Sequence, residues 1–506
     1  MEPIKILCKD FSEISLDNIK EDQEKHACEA FLNELQKPDY GGFKLKEKIN
    51  RNPATEDLNK DLKPIVVTDG KEVRRAEGII GYIRDKNFDY EGKKYDISLQ
   101  IRTRYDRDEK KCFFLAEMVR CYAEKYLDIS FSEMEIPTEE EKLLELLKIC
   151  IFRKRVLDAY RIGFYKRYTY FKENDAKPRG RIDIARHIKE NIALGNGRIA
   201  YEYRENTVDN PVNHLILRTW LELRKEYSDI TDRILSRELE GVSANEVLQQ
   251  LQYLAPHYRD KSLKGIIEAA NVPVTSIYFA EYEGLRSICI DILNGLCLSI
   301  YTGSNELEDD VDSMLFYVPD LWEVYVEDLL RSVYAKDPSQ GNYPNGKVSS
   351  QNEYWALYEK GKSDKGKKGR FVNRPDFIVE DEKKVLMVLD AKYKPVWSEF
   401  KNNESWVSDD VRQVLSYGMI TGAKKVGVIY PIEPDDEKKT TCEILGIGLQ
   451  KENKRACENG NAEFLVCGLK IPSISEKNFE TWKKELKENL KKIVEVLPKK
   501  ESEVTE

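Results

Sequence analysis

Two acids and a lysine in the last third of the chain have the types and spacing to cleave a phosphate ester. Asp376 follows Arg374 and Pro375, and Asp390-Ala391-Lys392 closes an apolar run from Val385 to Leu389. Side chains two apart on a strand share a face, so Asp390 and Lys392 stand about 6 to 7 Å apart along the chain and address one site. Carboxylates that meet at the end of an apolar strand are costly unless a cation neutralises them, and hard oxygen ligands with open positions suit Mg²⁺ or Mn²⁺. A lysine beside such an ion can orient a water and take its proton while the ion absorbs charge developing on the phosphate.

These residues need elements to hold them. Phe371 to Val379 reads as a strand, Glu380 to Lys384 as a polar turn and Val385 to Leu389 as a buried second strand. If Val379 faces Val385, Asp376 faces Val388 and lies diagonal to Asp390, roughly 7 to 8 Å away between backbones. Downstream, Ser408 is the expected N-cap of a helix of about 13 residues that stops at Gly422, with Asp409 and Asp410 at the positive end of its dipole. Val411, Val414, Leu415 and Met419 form its expected buried stripe, leaving Gln413 and Tyr417 together at i, i+4 on a neighbouring face. Upstream, Val318 to Leu330 predicts a helix that buries Trp322, Val326, Leu329 and Leu330. Glu323 and Glu327 fall on its opposite side, where either could add a third carboxylate or simply face water.

The acid pattern alone is weak in a chain so rich in Asp, Glu and Lys, and the sequence carries decoys. Pro434-Asp435 sits in a polar loop and Pro38-Asp39 has no apolar strand; only Asp376 comes with a hairpin and a capped helix. Gly361 to Lys368 nearly spells a phosphate-binding loop, but Lys368 stands where a Mg²⁺-holding hydroxyl is required, so no nucleotide site is expected. With Lys367, Arg370 and Arg374 it reads instead as a basic loop leading into the candidate site, placed to meet a DNA backbone.

The 506 residues exceed one compact core and predict several domains. Lys and Arg total 82 against 91 Asp and Glu, so nucleic acid must be met by a local patch. Ten scattered cysteines without C-x-x-C and four histidines without ligand spacing argue against a zinc module or a disulfide framework. They favour cysteines that pack as small hydrophobes and histidines with structural or exposed places. No signal-like start and no membrane-length apolar run predict a cytoplasmic protein with no membrane contact. Residues 1–130 read as strand-rich and 131–310 as mainly helical. Within the latter lie a long helix from about Thr138 to Tyr168 and a basic, aromatic segment at 164–172 that reads either as a helix end with buried aromatics or as a nucleic-acid or partner contact; a third domain spans 311–500.

The residues Leu321-Trp322-Glu323, Arg374-Pro375-Asp376, Leu389 to Lys394 and Gln413 to Tyr417 resemble the PD-(D/E)XK nuclease superfamily, with the Q-x-x-x-Y helix of its RecB-like branch. More narrowly the chain resembles the McrC family of nuclease subunits from McrBC-type restriction systems. Gly180 to Asp183 ahead of Asn210 and Asn213, and the strands around Ile79 to Ile101, look like that family's N-terminal part. The resemblance implies an α+β multidomain chain with a restriction-endonuclease-like core at 311–500. It implies that Asp376 and Asp390 hold Mg²⁺ or Mn²⁺, with Glu323 the candidate third ligand, that Lys392 serves the attacking water and that Gln413 supports the site. Lys367, Lys368, Arg370, Arg374, Lys394 and Tyr417 are the expected DNA contacts. The implied partners are modified double-stranded DNA and a McrB-like AAA+ GTPase ring, bound by the N-terminal part. Two other readings stand beside it: an adaptor that stimulates the ring without cleaving, and a self-sufficient RecB-like repair nuclease.

Overall fold

The computed structural model describes residues 3–37, 43–44, 62–63, 65–68, 73–106, 108, 111–131, 136–192, 194–293, 311–334, 346–350, 352, 354–358, 369–381, 384–399, 404–447, 462–474 and 478–496. These mix helices with several sheets and divide into two compact units. One unit comprises Met1–Tyr126, Phe131–Leu143 and Leu315–Glu506, the other Leu127–Ser130 and Leu144–Met314. The division differs from the expected three consecutive domains: 1–126 and the last third share one unit.

That first unit is built on a six-stranded sheet in the order Gly346–Ser350, Phe377–Asp381, Lys384–Ala391, Lys425–Ile432, Glu463–Lys470, Thr441–Gly446. Lys384–Ala391 runs antiparallel to Phe377–Asp381 and parallel to Lys425–Ile432. A parallel neighbour needs a crossover, which the helix Glu404–Thr421 supplies. The helix lies close on the sheet because residue 418 is glycine: a Cβ there would come within 2.7 Å of Val426 Cγ1. Gly422, with φ +73°, ends it in the left-handed conformation a glycine adopts without strain. Val407, Val414 and Tyr417 enter the core with Ile378, Val388, Val426 and Val428.

Three expectations change here. The strand foreseen over Phe371 to Val379 is broken around Pro375. Gly369–Asn373 pairs with Tyr354–Tyr358, and only Phe377–Asp381 joins the central sheet. The helix begins at Glu404, so Ser408 lies within it and its hydroxyl donates to the Ser405 carbonyl at 3.0 Å instead of capping. Met419 is 89% exposed, because Tyr417 and Gly418 occupy the sheet-facing side at that turn.

A four-stranded sheet has the order Ile4–Lys9, Lys93–Arg102, Ile79–Tyr90, Val311–Tyr317, of which the first three strands and residues 315–317 belong to this unit. The alternation read at Tyr95 to Ile101 is realised there, with Tyr95, Ile97, Leu99 and Ile101 buried. The chain leaves that sheet into the helix Val318–Tyr334, whose Val318 N–H donates to the Gly78 carbonyl at 2.8 Å. Phe114, on the helix Phe113–Tyr126, packs against Trp322 and Tyr325 of that helix. Trp482 of the closing helix Phe479–Val496 packs against Phe113. Cys442 and Cys467, directly opposite on the last strand pair, form a disulfide, a departure from the reading of the cysteines as packed hydrophobes. Cys8, Cys28, Cys112, Cys121, Cys150 and Cys289 are buried free thiols that fit it.

In the second unit the helix Glu140–Tyr160 ends earlier than expected, and the basic, aromatic segment is a strand, Arg167–Asp175, antiparallel to Ile199–Thr207. Its exposed Tyr168 and Tyr170 carry the Arg204 guanidinium over their rings. Asn210 caps the helix Pro211–Glu226, and Asn210 and Asn213 both donate to the carbonyls of Tyr165 and Val208, a structural use of both residues. The carboxyl of Asp209 joins two histidines the sequence left unrelated, His214 and His257, and Lys261 Nζ lies 3.3 Å from His214 Nδ1. No helix among the described residues is long and apolar enough to cross a membrane.

Candidate active site

The hairpin register brings the two acids closer than the sequence suggests. Phe377 pairs with Leu389 and Ile378 with Val388, and the next step along the ladder sets Asp376 opposite Asp390. Val379 pairs with Met387, two residues on from the expected Val385, and an irregularity between Val379 and Glu380 accounts for part of that difference. Asp376 Oδ2 accepts from the Ala391 N–H at 2.9 Å, which ties its carboxyl to the end of the neighbouring strand.

Asp390 is 2% exposed, and its carboxyl is pushed well above the usual range, first by burial and then by Asp376, close enough to share a hydrogen bond with it. Lys392 Nζ sits 2.5 Å from Asp390 Oδ2. The two form an ion pair without hydrogen-bond alignment, so that buried oxygen keeps an unfilled acceptor among the described protein atoms. Burial works against the charge on Lys392, but Asp390, then Asp410 and Asp376, outweigh it and hold the ammonium above its usual range.

The helix Glu404–Thr421 brings its polar edge to the same ammonium. Lys392 Nζ donates to Gln413 Oε1 at 3.2 Å, and Gln413 Nε2 donates to the Tyr417 hydroxyl at 2.7 Å. The i, i+4 pair seen in the sequence thus forms a relay of fixed direction. Tyr417 is 3% exposed within the core cluster, which corrects its expected DNA contact: its ring is packed and only its hydroxyl serves the site. Burial, followed by Asp390 and Asp376, raises that phenol above its usual range.

The sequence missed Asp410. By spacing it reads as a helix-dipole residue, yet its Oδ1 lies 3.2 Å from Lys392 Nζ and 3.4 Å from Lys394 Nζ. Its position three residues before Gln413, one turn along the same helix edge, was the available signal.

The expected third carboxylate is not assembled. Among the described residues no group of three or more His, Cys, Asp or Glu is placed to hold a metal ion. Glu327, foreseen on an outer face, is buried and paired with Lys125 and Arg331, which hold its carboxyl below the usual range against the effect of burial. Glu323 is half-buried on the adjacent turn and does not complete such a group. Of the expected DNA contacts, Lys394 is exposed and Arg374 half-buried beside Pro375. Lys367 and Lys368 lie outside the described residues, as does the side chain of Arg370.

The arrangement is thus a mixed sheet that brings a buried acid, a half-buried acid, a lysine and a glutamine to one strand end. The chain matches the family described as McrBC 5-methylcytosine restriction system component over residues 74–431. It belongs to that family. A refined half-complex of Thermococcus gammatolerans McrB AAA+ hexamers with bound McrC is similar at 16% identity and a TM-score of 0.45, covering 97% of this chain and 100% of that one. The Thermococcus gammatolerans McrBC complex is similar at 16% identity and a TM-score of 0.29, covering 64% of this chain and 87% of that one. No curated protein matches the chain.

Proposed function

We propose that this chain is the metal-dependent DNA endonuclease subunit of a McrBC-type restriction system, with a PD-(D/E)XK core in its first unit. The observation that carries the reading is the convergence of Asp376, Asp390 and Lys392 at the end of one buried strand, with Gln413 on the ammonium. Family membership supports the setting.

The residues fit a divalent cation. Asp390 is a buried carboxyl with an unfilled oxygen, Asp376 lies beside it, and the one ammonium offsets at most one of the two charges. Asp376 and Asp390 would hold Mg²⁺ or Mn²⁺, and Glu323 would join only through a movement of its side chain. When bound, the ion supplies Lewis acidity to a phosphodiester oxygen and lowers the pKa of a water. Lys392 offers a proton donor at a fixed place beside the acids, and Gln413 and Tyr417 hold it there. Lys394 and the basic stretch through Lys367, Lys368, Arg370 and Arg374 would track the DNA backbone by charge.

A McrB-like AAA+ GTPase ring is the proposed partner, a reading supported by membership of the McrBC family. It would supply the recognition of modified double-stranded DNA. The test is nicking of supercoiled plasmid by the full chain with Mg²⁺ or Mn²⁺, alone and with the AAA+ partner and GTP. Wild type nicks and Asp376→Ala does not; equal nicking by both removes the site from the reading. Stimulation of the ring's GTPase without any cleavage would make the chain an adaptor.

A further inference from the structure

Asp410 gathers three donors from one six-residue segment. Its Oδ1 meets the ammonium groups of Lys392 at 3.2 Å and Lys394 at 3.4 Å. Its Oδ2 accepts from the Trp397 indole N–H at 3.1 Å. Trp397 is fully buried on the short helical turn Pro395–Glu399, which directly follows the lysines. Asp410 is itself 8% exposed, on a helix fixed to the sheet by Val407, Val414 and Tyr417. Its carboxylate therefore cannot swing to follow a moving lysine: one oxygen is held by the core and the other is presented.

Lys392 has the opposite problem. Four rotatable bonds separate Nζ from the strand, and Asp390 alone would leave the ammonium free to pivot about a single contact. Its partners come from two elements: Asp390 Oδ2 by ion pairing at the strand end, and Asp410 Oδ1 by ion pairing and Gln413 Oε1 by hydrogen bonding from the helix. The helix side thus adds a charged and a neutral partner to the strand's single acid. Gln413 is neutral, and only Asp410 gives the helix side a charge to balance the pull of Asp390.

We propose that Asp410 is a positioning residue for Lys392, fixing from the helix side the ammonium that rests on Asp390, so that it stays in one place to meet the scissile group. The inference rests on the nuclease reading and deepens it. The rival is a purely structural role, in which Asp410 fastens the 392–397 segment to the helix and its charge is irrelevant.

Asp410→Asn separates the two. The amide oxygen can still accept from the Trp397 N–H and the shape is kept, but the charge facing Lys392 is gone. The experiment is cleavage of linear and supercoiled DNA by the full chain, with the AAA+ partner and GTP, comparing wild type, Asp410→Asn, Asp410→Ala and Lys392→Ala. Melting temperature and DNA affinity are measured on each. The inference expects kcat of Asp410→Asn to fall about 10- to 100-fold, as for residues that orient catalytic groups, with KM, DNA affinity and melting temperature unchanged. Asp410→Ala shows at least the same loss in kcat. Cleavage by Asp410→Asn within twofold of wild type, while Lys392→Ala is inactive, overturns the inference and leaves the nuclease reading intact. So does an Asp410→Asn loss that follows a lowered melting temperature. Wild type that cleaves under no condition overturns the nuclease reading, and the inference with it.

Discussion

Replacing Arg104 by methionine should loosen the lysine end of the site from a distance. Arg104 is buried just after the strand Lys93–Arg102, where its guanidinium donates to Asp10 Oδ2 at 2.9 Å, the Tyr105 hydroxyl at 2.6 Å and the Tyr393 carbonyl at 2.5 Å. It also lies 4.5 to 5.0 Å from the ring centroids of Phe11, Tyr105 and Tyr393. Burial pushes the Asp10 carboxyl up while Arg104 pulls it down. Arg104→Met keeps much of the volume but leaves Asp10 buried without its cation and the Tyr393 carbonyl without its donor. Removing one member of a buried pair costs about 3 to 5 kcal/mol, which already contains the lost hydrogen bonds. Because Tyr393 adjoins Lys392, part of that loss should appear as local opening at the site. Urea denaturation gives the total, and hydrogen exchange of peptides covering 385–394 gives the local part. Adding Asp10→Asn removes the unpaired acid and should recover about 1 to 3 kcal/mol. A total loss below about 1 kcal/mol, or unchanged exchange over 385–394, would refute the claim that this cluster holds the segment.

Other outcomes follow from the same geometry. Glu327→Gln should cost about 1 to 2 kcal/mol at pH 7, a figure reduced because Lys125 and Arg331 are partly exposed. Its carboxyl is held below 4.5, so the stability it adds is present above that value and fades as the pH falls through the lowered one. Denaturation of wild type and variant should therefore differ at pH 7 and converge toward pH 3; an equal difference at both would contradict the pairing. Replacing Lys367, Lys368 and Arg370 by alanine together should weaken binding to all DNA sequences and reduce the slope of log K against log salt by roughly 2 to 3. An unchanged slope in a filter-binding titration would remove that loop from the DNA path.

Much of the site was legible because its parts are local in sequence. The turn between two apolar strands, the Asp390-Ala391-Lys392 strand end and the i, i+4 spacing of Gln413 and Tyr417 each follow from short-range periodicity. The register was not, since the irregularity at Val379 and Glu380 has no composition mark, and a two-residue difference in pairing decided whether Asp376 stood diagonal to Asp390 or opposite it. Met419 was assigned to the buried stripe from spacing alone, while the close approach at Gly418 rotates the helix so that Tyr417 is buried instead. Asp410 carried two explanations, dipole and site, and only the placement of Trp397 and Lys392 chooses between them. The role of 1–126 lay furthest out of reach. Thr103 and Tyr393 share a hydrogen bond at 3.2 Å across nearly three hundred residues of chain, and no local pattern records a pairing of that separation.

The most direct test of the account is cleavage of methylated plasmid by the full chain with its AAA+ partner, GTP and Mg²⁺, comparing wild type with Asp390→Ala and Lys392→Ala. All three should bind the partner and stimulate its GTPase equally. The account predicts that wild type makes double-strand breaks and that each variant loses cleavage by at least about 100-fold. Cleavage by either variant at the wild-type rate would contradict it, because the chemistry would then lie outside the acid pair and its lysine.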